Sequence, residues 1–131
     1  MNISKSISVC FSKFGTFKGR ASRSEYWWFF LFTLIMQWVL SIVDSTSLIA
    51  HPELAPSDSD EASVFALVDL LIMLPLWIPL WSAGARRLHD IGRSGWWQLL
   101  EITIIGIIPL YIWMAREGDR AVNEYGSPPP L

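Results

Sequence analysis

Three long apolar segments separated by polar stretches dominate the pattern of the chain. Residues 26–43 carry no charge, residues 62–85 carry only Asp69, and residues 94–115 carry only Glu101. A helix of eighteen residues reaches about 27 Å, close to the roughly 30 Å hydrocarbon core of a bilayer. The pattern therefore predicts an all-α integral membrane protein with three transmembrane helices, over residues 25–43, 62–85 and 94–115. Gly106 and Pro109 can interrupt the third helix, so a broken or re-entrant third segment stays open as an alternative.

The polar stretches complete a single membrane domain over residues 1–131. They form a cytoplasmic arm (1–24), an external acidic loop (44–61), a cytoplasmic basic turn (86–93) and a tail (116–131). In the arm, Ile3, Ile7, Phe11 and Phe14 recur at helical spacing, which predicts an interfacial helix, although a strand pattern also partly fits. Ser22 and Glu25 form a capping-box pattern immediately before the first apolar segment.

The lysines and arginines predict the orientation of the protein. The arm and the basic turn together hold eight of them, the acidic loop holds none, and the tail holds Arg116 and Arg120. The positive-inside rule then places the N-terminus in the cytoplasm. The side of the tail depends on the third segment, because a re-entrant segment would return the tail to the cytoplasm.

Composition excludes several functional classes. The chain is 52% hydrophobic and 17% charged with a net charge of −2, which is untypical of disordered chains and of general nucleic-acid binders. Cys10 is the only cysteine, and His51 and His89 are the only histidines, so we expect no disulfide, no metal site and no cofactor. The sequence contains no phosphate-binding loop and no nucleophile elbow, so we expect no enzyme.

Four polar residues interrupt the apolar segments, namely Thr33, Gln37, Asp69 and Glu101. Thr33, Gln37 and Ser41 are spaced by four, which predicts a polar stripe facing a neighbouring helix. A carboxylate in the membrane costs about 2.5–3.5 kcal/mol on insertion scales, so each needs a partner or water. Arg86 or Arg87 is the expected partner of Glu101. The two carboxyl groups are interpreted as packing residues, with a proton or ion path as the alternative.

A second group of candidate residues lies at the predicted cytoplasmic interface. We expect it to bind anionic lipid head groups or a protein partner, and it consists of Arg20, Arg23, Arg86, Arg87, His89, Asp90, Arg93 and Trp96. Guanidinium groups bind phosphate and carboxylate through forked hydrogen bonds. The alternative is that these arginines pair internally with Glu25, Asp90 and Glu101.

Three motifs carry a family resemblance. Residues 17–27 read FKGRASRSEYW, residues 86–97 read RRLHDIGRSGWW, and residues 118–126 read GDRAVNEYG. On these motifs the chain resembles the YhaH-like small bacterial inner-membrane proteins, known as domain of unknown function 805. The resemblance implies a multi-pass protein of the bacterial inner membrane and implies no activity.

Two functional hypotheses follow. The first is a non-enzymatic membrane module whose basic cytoplasmic face interacts with lipid or with a membrane protein, including a second copy of itself. The second is a small oligomeric transporter or channel subunit that uses Asp69 and Glu101.

Overall fold

The computed structural model describes residues 1–52 and 59–129, with the side chains of residues 59–66 excepted. The acidic loop residues Glu53 and Asp58 lie outside the described residues. Across the described residues the order of elements is α1 (Ile3–Ser12), α2 (Arg23–Ala50), α3 (Ser59–His89), a 3₁₀ helix (Gly95–Ile102) and α4 (Ile104–Ala115). The helical class predicted from the sequence is therefore confirmed.

Helices α2 and α3 contain the two segments that are long and apolar enough to cross a membrane, Arg23–Ala50 and Leu67–His89. Helix α2 begins where the capping-box pattern predicts, because the hydroxyl of Ser22 accepts the backbone N–H of Glu25 at 3.2 Å. Only this half of the box forms, since the Glu25 carboxylate pairs with Arg86. It continues beyond the predicted end at residue 43. Ser45 and Thr46 donate their hydroxyl hydrogens to carbonyl oxygens one turn back, so these polar residues are accommodated within the helix.

The third apolar segment is broken rather than continuous. Thr103 has an extended backbone, and its hydroxyl accepts the backbone N–H of Gly106 at 3.1 Å, which starts α4 as a new helix. A Cβ atom on Gly106 would lie 2.7 Å from the carbonyl oxygen of Leu100, so the absence of a side chain lets the two pieces meet. The 3₁₀ helix reaches about 16 Å and α4 about 18 Å, each roughly half of a bilayer core.

The two pieces run in opposite directions and form what we call the hairpin. Trp97 and Trp113 are in contact, with ring centroids 5.5 Å apart. Trp27, at the start of α2, donates from Nε1 to the carbonyl oxygen of Met114, at the end of α4, at 3.3 Å. The chain therefore leaves and returns at the same end of the molecule. The prediction of a continuous third transmembrane helix over 94–115 is wrong, and the broken alternative describes the segment.

Helix α1 is present as predicted, and it contacts the protein through small residues together with part of the predicted apolar face. Ser6 and Cys10 are fully buried against α2, and the Ser6 hydroxyl donates to the carbonyl oxygen of Glu25 at 2.5 Å. Of the predicted apolar face, Ile7 packs against the core and the Phe11 ring lies 5.6 Å from that of Phe29, whereas Phe14 is beyond the end of the helix. Apolar side chains that are partly buried and partly exposed suit a helix that lies between protein and lipid.

The buried core lies at the end of the molecule where α1, the hairpin and the tail meet α2 and α3. Tyr26, Phe29, Leu88, Leu110 and Met114 form its centre. Beyond this level, large apolar side chains of α2 and α3 are exposed, as expected of helices surrounded by lipid. We call the packed end the arginine end, after the cluster described next.

Candidate functional site: a buried arginine cluster

Five charged side chains from three parts of the chain meet at the arginine end. They are Arg20 from the arm, Glu25 from the first turn of α2, and Arg86, Arg87 and Asp90 from the end of α3 and the turn after it. Each is at most 5% exposed. We refer to these five residues as the arginine cluster. Charged side chains this deeply buried require partners, because removal of an ion from water is costly.

Asp90 is the centre of the cluster. Its Oδ1 accepts from Nε of Arg20 at 2.8 Å, and its Oδ2 accepts from Nη1 of Arg87. Arg86 forms a separate ion pair with Glu25, from Nη1 to Oε1. The cluster thus contains three guanidinium groups and two carboxylates. The positive excess is met by backbone carbonyl oxygens, which carry partial negative charge.

Those carbonyl oxygens come from the end of the hairpin and from the tail. Arg87 donates from Nε to the carbonyl oxygen of Met114 at 2.9 Å. Arg20 donates from Nη1 to the carbonyl oxygens of Ala121 and Gly126, at 2.8 and 3.1 Å. The tail therefore follows a fixed path because the cluster binds its backbone.

Further contacts hold the tail against the basic turn. The backbone N–H of Asp119 donates to the carbonyl oxygen of Asp90 at 2.8 Å, and Asn123 donates from Nδ2 to that of His89 at 2.9 Å. The rings of His89 and Tyr125 are stacked with centroids 3.9 Å apart. Gly118 passes so close to Asp90 that a Cβ atom there would overlap its carboxylate. The arm, turn and tail consequently form one unit.

The structure brings together only part of the predicted head-group site. Arg20, Arg86, Arg87 and Asp90 are buried in the cluster, which is the internal pairing named as the alternative, with Glu25 and Asp90 as the acids. Arg86 and Arg87 do not pair with Glu101, so that expectation is wrong. Both guanidinium groups point into the protein, where, among the described residues, Arg86 pairs with Glu25 through Nη1 alone, and Arg87 contacts Asp90 and the carbonyl oxygen of Met114.

The other predicted head-group residues lie around the cluster. Arg23 forms a surface ion pair with Glu117 at 3.6 Å, and the Arg93 guanidinium lies 3.8 Å above the ring of Trp113. His89 is half-buried at the edge of the cluster, with Nδ1 3.1 Å from the carbonyl oxygen of Gly19. Trp96 is 78% exposed. These residues remain on the surface, where an external group can reach them.

The predicted intramembrane polar stripe is buried at only one position. Thr33 is buried and donates to the carbonyl oxygen of Phe30 in its own helix at 2.7 Å. Gln37 and Ser41 are exposed in the single chain, so a bundle that covers the whole stripe stays a prediction. Asp69 is also exposed, on the half of α3 remote from the arginine end. Glu101 is half-buried beside α3, in the hairpin.

Sequence reasoning missed the tail as a structural partner of the arginines. The partners are backbone oxygen atoms, which every residue carries, so residue types in the tail do not reveal them. Gly118 is the one available signal, because a glycine can mark a close approach to another group.

Comparisons with known proteins identify the family of the chain. The model of a family described as "Protein of unknown function (DUF805)" matches residues 14–127, a range that contains the arm motif, the basic turn and most of the tail. The chain is 31% identical to the inner membrane protein YhaH of Escherichia coli K12 over 116 residues, which cover 88% of each chain. It is 36% identical to the inner membrane protein YhaI of the same strain over 114 residues, covering 86% of this chain and 85% of the relative. No solved structure matches.

Proposed function

The chain belongs to the DUF805 family, and from this premise we propose that it is a non-enzymatic protein of the bacterial inner membrane whose basic cytoplasmic face interacts with anionic lipid head groups. In this proposal α2 and α3 cross the membrane, and the hairpin enters and leaves from the cytoplasmic side. Both termini are then cytoplasmic. The known relatives carry the words "inner membrane protein" in their names and no activity.

One observation carries this proposal: the hairpin returns the tail to the arginine end. All ten lysines and arginines of the chain then belong to segments at that end, whereas residues 44–61, which connect α2 to α3, contain none. A three-span arrangement would divide them eight to two. The positive-inside rule therefore supports a cytoplasmic arginine end more strongly for the re-entrant arrangement than for three spans.

The head-group contacts are assigned to the exposed cations rather than to the buried cluster. Lys5 lies on the exposed side of α1, Lys13 and Lys18 follow that helix in the arm, and Arg23 and Arg93 flank the cluster. A basic residue close to a membrane surface gains about 1 kcal/mol from anionic lipid. The buried cluster contributes by holding the arm, turn and tail together, so that these cations occupy one surface.

Cysteine labelling tests the orientation. In a Cys10→Ser background, Ile49→Cys and Val122→Cys place single thiols at positions that are 81% and 74% exposed. A membrane-impermeant maleimide applied to spheroplasts should label Ile49→Cys, whereas Val122→Cys should react only after the membrane is permeabilised. Both variants should react fully in detergent, which controls for thiol access. Labelling of Val122→Cys in sealed spheroplasts would instead indicate three spans and refute the cytoplasmic tail.

Lipid retention tests the head-group assignment. Native mass spectrometry in a mixed micelle should show that Lys5→Gln, Lys13→Gln and Lys18→Gln, combined, reduce the retention of phosphatidylglycerol relative to phosphatidylethanolamine. The matched control replaces the same lysines by arginine, which keeps the charge and should keep the preference. Equal preference in the glutamine variant would reject these lysines as head-group contacts.

A further inference from the structure

A cavity of about 480 Å³ lies outside the arginine cluster, between α3 and the 3₁₀ helix. Its apolar wall includes Phe17 of the arm, Trp81 of α3 and Trp96 of the 3₁₀ helix. Three polar side chains also line it, namely His89, Ser94 and Gln98. The cavity thus combines aromatic surface with a small number of hydrogen-bonding groups, which is the usual composition of a ligand site.

The geometry of the 3₁₀ helix places Gln98 in this cavity. A 3₁₀ helix has three residues per turn, so Gly95, Gln98 and Glu101 lie on one face. Gly95 fits tightly against α3, since a Cβ atom there would lie 2.8 Å from the Cβ of Ala85. Gln98 follows one turn deeper against Gly84 and is 5% exposed. Its amide nitrogen lies against Gly84, and no described residue forms a hydrogen bond with the amide, which can therefore donate to and accept from a ligand.

His89 and Ser94 add hydrogen-bonding groups near the mouth of the cavity. Because the carbonyl oxygen of Gly19 can only accept, the hydrogen of a neutral His89 ring is assigned to Nδ1, and Nε2 is then an acceptor. The Nε2 atom lies 3.4 Å from the position of a Cβ on Gly95, at the cavity wall. The Ser94 hydroxyl accepts the backbone N–H of Trp96 at 3.4 Å and retains its own hydrogen to donate.

A second, more apolar groove continues from the first along α3. Its volume is about 540 Å³, and it shares Phe17 and Trp81 with the cavity before it reaches Trp77 and Ile102. The cavity and the groove therefore adjoin at these two side chains, and together we call them the channel. Both are mainly apolar, but hydrogen-bonding side chains are concentrated near the basic turn, whereas Glu101 is the one charged residue among the described residues that line the groove. This gradient suits an amphiphile.

We propose that this channel binds one membrane glycerolipid. The amide of Gln98 hydrogen-bonds the glycerol ester region, one acyl chain occupies the groove beside Trp77 and Trp81, and the phosphate faces Lys18, which is exposed directly after Phe17. The depth of the cavity in the membrane favours a glycerolipid. The cavity starts at Ser94, immediately after the basic turn, and this is the level at which the ester groups of lipids lie in a bilayer. The inference deepens the proposed function, on which it rests for lipid around the arginine end.

The affinity of a short-chain glycerolipid tests the proposal. Titration of dioctanoylphosphatidylglycerol into the full chain in detergent, followed by tryptophan fluorescence, should saturate. Gln98→Leu, which keeps the volume and removes the hydrogen bonds, should weaken the apparent Kd by about three- to tenfold. Gln37→Leu is the matched control, because the same replacement at an exposed site on α2 should leave the Kd unchanged.

Further measurements distinguish this site from the alternatives. Phe17→Ala, in an exposed part of the arm, should also weaken binding of the glycerolipid. This variant replaces Gln98→Leu in the titration if Gln98→Leu fails to fold. An unchanged Kd in folded variants at both positions would overturn the site. Octanoate binding as tightly as the glycerolipid would overturn the glycerolipid assignment. None of these outcomes depends on the orientation measured at Ile49 and Val122, so the proposed function and this site can fail separately.

Discussion

Asp90 offers the sharpest test of how the arginine end is held together. Its two carboxylate oxygens are used by Arg20 and Arg87, and all three side chains are at most 5% exposed. Asp90→Asn keeps the size of the side chain and removes its negative charge. Arginine does not lose its proton under ordinary conditions, so two buried guanidinium groups would remain charged beside a neutral amide.

The expected loss is large. Removal of one partner from a buried ion pair typically costs about 3–5 kcal/mol, because a buried charge is left uncompensated. Here one substitution affects two ion pairs, so we expect a loss of free energy of unfolding at or above the upper part of that range. Glu117→Gln is the matched control. Its pair with Arg23 lies on the surface, with side chains 70% and 51% exposed, and should contribute below about 1 kcal/mol.

The free energy of unfolding of both variants is measured in mixed micelles with increasing dodecyl sulfate. The eight tryptophans of the chain provide the fluorescence signal. Limited proteolysis should also cut the tail of Asp90→Asn first, because the orientation of Arg20 toward the tail carbonyls depends on Asp90. If Asp90→Asn and Glu117→Gln unfold within about 1 kcal/mol of each other, the cluster does not stabilise the fold as argued.

Three further predictions concern neighbouring features. Gly118→Ala should displace the tail, because its Cβ would overlap the Asp90 carboxylate, and proteolysis of the tail should accelerate, whereas Ser127→Ala at an exposed position should not change it. Burial, together with the negative charge of Glu25, raises the pKa of the Cys10 thiol to about 11, so iodoacetamide at pH 8 should react slowly with the folded protein and rapidly after unfolding. The folded state then binds more protons than the unfolded state between pH about 8.5 and 11, so stability should fall as pH rises through that window, and a Cys10→Ser variant should lose this part of the decline. Ser22→Ala should reduce the free energy of unfolding by about 1 kcal/mol through loss of the α2 cap, and Ser22→Asp should retain the cap; equal midpoints for all three proteins in the micelle assay would exclude that role.

Much of the fold follows from the length of the uncharged segments. The chain has too few polar residues to shield residues 26–43 and 70–85 from water, so these segments were expected to form apolar helices. The Ser22 cap correctly predicted where α2 begins. The break at Thr103 was not predictable in the same way. Gly106 and Pro109 are the conspicuous helix breakers, but both lie inside α4, and the break depends on a hydroxyl cap that any threonine can form.

The sequence predicted most residues of the site but not how they contact one another. An arginine-rich turn next to a membrane indicates charge at the interface, but sequence spacing does not reveal that Glu25, 61 residues before Arg86, is its ion-pair partner. That pairing requires the packed arrangement of α2 against α3. The role of the tail was still less accessible, because it acts through backbone oxygen atoms.

In the proposed topology, the hairpin gives the molecule different widths in the two leaflets. At the arginine end, α2 and α3 are joined by the hairpin and by α1, whereas in the other leaflet the described residues contribute only the two crossing helices. Such a protein is a wedge that expands one leaflet more than the other. We therefore expect it to concentrate where the bilayer bulges toward the arginine side, so the local curvature of the membrane becomes a determinant of where in the cell the protein accumulates.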